Sequence, residues 1–165
     1  SKNYGTNYIL SDSDYVVIEA DEFDRSFHWL SPYMTVITST DPDHLYIYGT
    51  KEAYLESFRH YTELIQPQGA LIIHRGLEMK ENQPSGVHRY DYALNEGDFH
   101  AENIRIAHGE ITFDFVSPVE SIKNIQLGQP VPINIENGIA AMAMAQLAGC
   151  TAEEISTKIT YKHIQ

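Results

Sequence analysis

The sequence predicts an α/β domain: a mostly parallel, doubly wound sheet flanked by helices and carrying a small antiparallel β lobe. Three observations predict it. Apolar runs of the kind buried on both faces of a parallel sheet, at 15–19, 34–38 and 70–73, alternate with helical stretches in a β-α-β-α-β order. Short alternating stretches replace these runs from 87 to 116. An Ala/Met-rich helix then returns the chain to the first layer.

Each element has its own signal. Tyr15-Val16-Val17-Ile18-Glu19 reads as the first strand; it ends in the carboxylates Glu19, Asp21, Glu22 and Asp24, and a short helical stretch runs on through Trp29. Met34-Thr35-Val36-Ile37-Thr38 reads as the second and ends in Asp41-Pro42-Asp43-His44. An amphipathic helix is expected over 51–65. Tyr54, Leu55, Phe58, Tyr61 and Ile65 share one face of it, with Glu52, Glu56, Arg59 and Glu63 mainly on the other. Pro67-Gln68-Gly69 breaks it, and Ala70-Leu71-Ile72-Ile73 is the third strand. Val87-His88-Arg89-Tyr90, 103–106 and 110–115 are assigned to the antiparallel lobe, the last two joined by the turn Ala107-His108-Gly109. A helix is expected from near Asn134 to Gly149, then a capping box at Thr151-Ala152-Glu153-Glu154. No repeat, low-complexity segment or linker interrupts this, so 1–165 reads as one domain with a lobe at about 87–116.

Composition narrows the function classes. The 165 residues suffice to bury about two-thirds of the unfolded surface, and 42% hydrophobic with 21% charged residues suits a globular domain. No run of ~18 apolar residues is present, so no membrane span is expected. The opening at Ser1 shows no export leader and suits a piece of a longer chain; a cytoplasmic setting is expected. A net charge of −12 argues against a nucleic-acid partner, because phosphate binding needs a basic surface. Cys150 is the only cysteine, which excludes an internal disulfide, and it is expected to pack after a helix.

Ligands of open parallel sheets bind beyond the carboxyl ends of the strands. Two strands here end in hard oxygen donors, Glu19, Asp21 and Glu22 on one and Asp41 and Asp43, with His44, on the other. An apolar strand ending in an acid can hold the magnesium that bridges two phosphates, and magnesium needs only one or two protein carboxylates. Solvated acidic loops are the plainer alternative. Asn134 and Asn137 open the Ala-rich helix, and asparagine amides can read an adenine edge; Asn134 suits a helix cap, whereas capping does not explain Asn137 inside the first turn. Gly5-Thr6-Asn7-Tyr8 is not a phosphate loop, since no Gly-Lys-Ser/Thr follows it. The remaining histidines lack metal-ligand spacing.

Several segments resemble the Mur ligase family, in particular its members that add L-alanine. Residues 17–27 are similar to their "EADE-x-D-x-SF" segment, and 36–45 to "VITNI-(D/E)-x-DH-(L/M)". The stretch 49–58 resembles the following "G-x-x-E…F" helix. Asn134 to Asn137 with Ala140-Ala141 resembles "HN-x-x-N…AA", and 160–165 the start of "F-K-G-I-x-R-R-F". The resemblance implies the central ATPase domain of a three-domain ligase, of P-loop type and cut downstream of its phosphate loop. It implies ATP and magnesium (Mg2+) as cofactors, and UDP-N-acetylmuramate and L-alanine as partners joined through an acyl phosphate. Glu19 and His44 become the implied magnesium ligands, with Asp43 beside them, and Asn137 the implied adenine contact, with Asn134 near it. Ser39, Tyr46 and Ile133 depart from the family's Asn, Asp and His. Phe58 or a neighbour stands where related ligases carry a carbamylated lysine, so none is expected. A sibling ligase recycling murein tripeptide, a metal-dependent phosphohydrolase and a non-catalytic binding module are the alternatives; this segment alone is expected to be inactive.

Overall fold

A computed structural model describes residues 12–42, 45–127 and 131–159. Strands β1 (Met34–Ile37), β2 (Ala70–His74) and β3 (His88–Tyr92) form a parallel sheet in that order, with Met34 opposite Ala70 and Ala70 opposite His88. β2 is the middle strand and is buried at four of its five positions, which is why it reads as an unbroken apolar run. Its side chains divide between two cores. Leu71 and Ile73 join Phe27, Ile37, Tyr54, Phe58 and Tyr61 on one face, while Ile72 joins Tyr92, Phe99, Ile135 and Ile139 on the other.

Helices cover both faces. After the single turn α1 (Leu45–Tyr48), α2 (Lys51–Glu63) starts where the Thr50 hydroxyl accepts the Ala53 N–H at 3.1 Å. It buries Tyr54, Phe58 and Tyr61 on the first face. α3 (Pro132–Leu147) buries Ile135, Ile139 and Met142 on the second. Gly149 ends α3 at φ 96°, and the Cys150 N–H reaches the Ala145 carbonyl at 3.0 Å, a Schellman closure. The expected capping box then opens α4 (Ala152–Ile159): the Glu154 N–H donates to Thr151 Oγ1 at 3.2 Å, and the Thr151 N–H to Glu154 Oε2 at 2.8 Å. Gly69 marks the close approach of the chain before β1 to that before β2, since a Cβ there would lie 1.9 Å from the Tyr33 carbonyl oxygen.

The second sheet is antiparallel, in the order β4 (His100–Ala107), β5 (Glu110–Val116), β6 (Ile122–Leu127). On β5, Ile111, Phe113 and Phe115 are fully buried and alternate with partly exposed residues. The β4–β5 turn has His108 at φ 54° and Gly109 at φ 78°, both left-handed as a tight hairpin turn requires.

The structure departs from the sequence reading in five places. Residues 15–19 form no strand: Val16 and Val17 are 83% and 95% exposed, and β1 pairs with β2 alone among the described strands. Apolar composition favours a strand, but only a neighbour satisfies its backbone groups. The 87–90 stretch lies in the parallel sheet, not the lobe: β3 pairs parallel with β2, and its burial rises along the strand from the exposed His88 and Arg89 to the buried Tyr92. The lobe instead takes in β6, where a register shift opposite β5 breaks the two-residue period and spaces the buried Ile122 and Ile125 three apart. Asn134 does not cap α3. Val131 occupies that position without a side-chain bond, and Pro132 starts the helix with its fixed φ. Cys150 is exposed rather than packed.

Candidate functional site

The carboxyl ends of the three parallel strands and the first turns of α3 enclose a cleft of about 300 Å³. Thr38, Ser39 and Asp41 line it from the loop after β1, His74 and Leu77 from the end of β2 and beyond, and Tyr92 from the end of β3. Ile133, Glu136 and Asn137 close it from α3. Those three stand at helical spacing i, i+3, i+4 and so share a face, which leaves Asn134 off the lining.

The loop after β1 is held in place from below. The Tyr54 hydroxyl donates to the Asp41 carbonyl at 3.0 Å, and the Asp41 N–H donates to Ser39 Oγ at 2.9 Å. Across the cleft, His74 Nε2 lies 3.2 Å from Glu136 Oε1, and the His74 ring meets Tyr92 edge-on with centroids 5.1 Å apart. Burial, and then the Glu136 charge, push the Tyr92 hydroxyl up to about 12, so it keeps its proton at any physiological pH. The walls thus combine an amide, two carboxylates, an imidazole, three hydroxyls and the apolar side chains of Leu77 and Ile133.

The acidic segment after residue 20 is anchored separately. Asp21 Oδ1 accepts the Phe23 N–H at 2.8 Å, and Asp24 Oδ1 the Ser26 N–H at 2.9 Å. The Ser26 side-chain and backbone N–H donations hold the Asp24 carboxyl below its usual range. A 3-10 turn, Ser26–Trp29, delivers Phe27 into the core against Phe58 and Tyr61, with centroids at 5.4 and 4.9 Å. The Tyr48 hydroxyl donates to the Glu22 carbonyl, and the Arg25 guanidinium lies 5.0 Å from the Tyr48 ring centre.

Of the residues singled out in the sequence, the structure brings Asp41 and Asn137 to one cleft. Glu19 lies exposed outside its lining, and Asp43 and His44 fall outside the described residues. His74, Tyr92 and Glu136 were not anticipated. Only the position of His74 and Tyr92 at strand ends signals them in the sequence. Among the described residues no three His, Cys, Asp or Glu side chains gather as a metal cage. Magnesium does not require one, and the Asp41 carboxylate with the Thr38 and Ser39 hydroxyls supplies the hard oxygen donors that suit it. A second hollow, of about 330 Å³, lies on the lobe between Arg105, His108, Glu110 and Asn124. Its polar groups are engaged within the sheet: Arg105 donates to Asn124 Oδ1 at 2.8 Å, and the Gln126 amide donates to Glu110.

A parallel sheet covered on both faces, with a polar cleft at its strand ends and an antiparallel sheet appended, defines an α/β domain built to present a ligand at the carboxyl edge. The model of the Mur ligase middle domain matches residues 6–145, and the chain belongs to that family. It is 71% identical over 156 residues to the UDP-N-acetylmuramate–L-alanine ligase of Phocaeicola vulgatus, a match covering 94% of this chain and 34% of that protein. The ligase of the same name from Parabacteroides distasonis is 59% identical, with 93% and 34% covered. The chain therefore spans about a third of the length of the curated relatives it matches. Among solved structures, MurF from Acinetobacter baumannii superposes with a TM-score of 0.66 at 19% identity, covering 87% of this chain and 32% of that one. A complex of FPGS with AMPPCP gives 0.62 at 14% identity, with 81% and 35% covered. Both likenesses establish the fold.

Proposed function

We propose that the chain is the ATP-handling middle domain of a UDP-N-acetylmuramate–L-alanine ligase acting in the cytoplasm in peptidoglycan synthesis. The observation that carries this reading is the 71% identity to a ligase of that name over nearly the whole chain. The cleft at the strand ends supports it, because it offers an adenine-reading amide beside oxygen donors. In the reaction, a carboxylate oxygen of the UDP-sugar attacks the γ-phosphorus of ATP, and ADP leaves. The alanine amine then attacks the resulting acyl phosphate, and inorganic phosphate departs as the amide forms.

Within that reaction the chain's own residues bind and orient. Asn137 holds the adenine edge, with Asn134 near it on α3. Glu19 and His44, with Asp43 beside them, would hold magnesium, which would neutralise the charge of the two anions that must meet. Parallel pairing of residues 15–18 with the edge of β1 that no described strand occupies would bring Glu19 to the same end of the sheet as Asp41.

Phosphate release by the full-length protein tests the assignment. Release is expected only when ATP, UDP-N-acetylmuramate and L-alanine are all present. Equal release with murein tripeptide in place of alanine would overturn it in favour of the recycling enzyme.

A further inference from the structure

Two side chains of the cleft have no part in the reading above. His74 ends β2 and Glu136 lies in the first turns of α3, 62 residues apart in sequence, yet Nε2 and Oε1 are 3.2 Å apart. A carboxylate only accepts, so Nε2 carries the proton and His74 donates. One oxygen of Glu136 is thereby engaged. The carboxylate is not sealed: 23% of the side chain is exposed, and it lines the cleft beside Asn137.

The edges of the purines differ in what they ask of such a wall. Adenine presents an amino group at the six position, where guanine presents a carbonyl oxygen. Guanine also offers two adjacent donors, its ring N–H and its two-amino group, which suit a carboxylate with both oxygens open. A carboxylate with one oxygen already engaged suits a single amino group and repels a carbonyl. Asn137, with one donor and one acceptor on its amide, complements adenine at the neighbouring position.

We propose that the His74–Glu136 pair is the base-selecting element of the cleft. The open oxygen of Glu136 accepts the six-amino group of adenine, and His74, by engaging Oε1, denies guanine the paired acceptor its donors need. This rests on the nucleotide-binding reading of the cleft given above.

The test is a set of dissociation constants on the full-length protein for ATP, ITP and GTP, measured by competition against a fluorescent ATP analogue. ITP carries the six-carbonyl and ring N–H of guanine without its two-amino group, so the ATP-to-ITP ratio reads the six-amino edge as a whole and the GTP-to-ITP ratio reads the two-amino group alone. The wild-type protein binds ATP in preference to ITP. Glu136→Gln, of the same shape but able to donate, should narrow that preference about tenfold, the scale of one charge-assisted hydrogen bond. His74→Ala should tighten GTP relative to ITP several-fold by freeing the second oxygen. A Glu136→Gln protein with native circular dichroism that binds ATP with an unchanged ATP-to-ITP ratio would overturn the proposal. An unchanged GTP-to-ITP ratio in His74→Ala would overturn the role given to histidine. Failure of ATP to compete in the wild-type protein would instead sink the nucleotide reading itself.

Discussion

Strand β2 and residues 15–18 are nearly alike in composition and opposite in fate. Leu71 and Ile72 are wholly buried between two layers of side chains, whereas Val16 and Val17 stand 83% and 95% exposed. β2 has a strand on each side and a helix over each face. The earlier segment has no strand partner among the described residues. The difference teaches that an apolar run records a demand for burial and leaves open which partner meets it. It also divides the proposed site, since Asn137 stands on the packed part and Glu19 on the exposed one.

The contrast can be broken at its strong end first. Phe99 is fully buried, stacked on Phe115 with centroids 6.0 Å apart. Phe99→Ala is expected to cost about 3–5 kcal/mol in chemical denaturation, through lost contacts and the cavity left behind. A cost below about 1 kcal/mol would show that the core shared by sheet and lobe is not what holds the domain together.

Glu19 tests the exposed part for function rather than stability. Glu19→Ala in the full-length protein should lower ligation on the order of 10²- to 10³-fold, the usual loss when a group stabilising transferred charge is removed. Its melting temperature should stay unchanged, because the side chain is exposed. Full activity would remove Glu19 from the metal site.

Acid separates the two regions by another route. Burial pushes the Asp91 carboxyl up, but the backbone N–H of Asp98 and the Arg89 and Arg75 guanidiniums outweigh it and hold Asp91 below 3.8. A depressed folded value means the stabilisation is complete above the unfolded value and is lost as pH falls through the folded one. Asp91→Asn should therefore lower stability at pH 7 and shrink its difference from wild type below about pH 4, as acid titrations of both proteins would show. A difference that persists undiminished at pH 2 would contradict the assignment.

The smallest effect is expected where the run is exposed. Val17→Ser should change stability by no more than about 0.5 kcal/mol, as surface substitutions do. A cost of about 2 kcal/mol in the full-length protein, with none in the isolated chain, would show that residues 15–18 gain a partner there.

Much of this was legible in the residues. β1, β2, α2, the β4–β5 hairpin and the capping box of α4 all follow from signals that act locally: period, cap chemistry and a turn with two left-handed residues. Placing 87–90 in the parallel sheet was not legible, because His88 and Arg89 at the start of this edge strand are exposed and so lack the unbroken apolar run that marks β2. The start of α3 was misjudged because Asn134 is a good cap in general, while Pro132 two residues earlier had already fixed the helix. The resemblance in the sequence singled out Asn137, which the structure places on the cleft, but the wall opposite it could not be read. His74 and Glu136 meet only through the packing of α3 against the sheet, and no spacing along the chain encodes that contact.

The central claim, that the cleft at the ends of β1, β2 and β3 receives the base of ATP, is tested most directly by titrating the full-length Asn137→Ala protein with ATP. Loss of an amide pairing with a base edge should raise the dissociation constant by about tenfold or more, with the melting temperature unchanged. An unchanged dissociation constant would place the adenine elsewhere and contradict the claim.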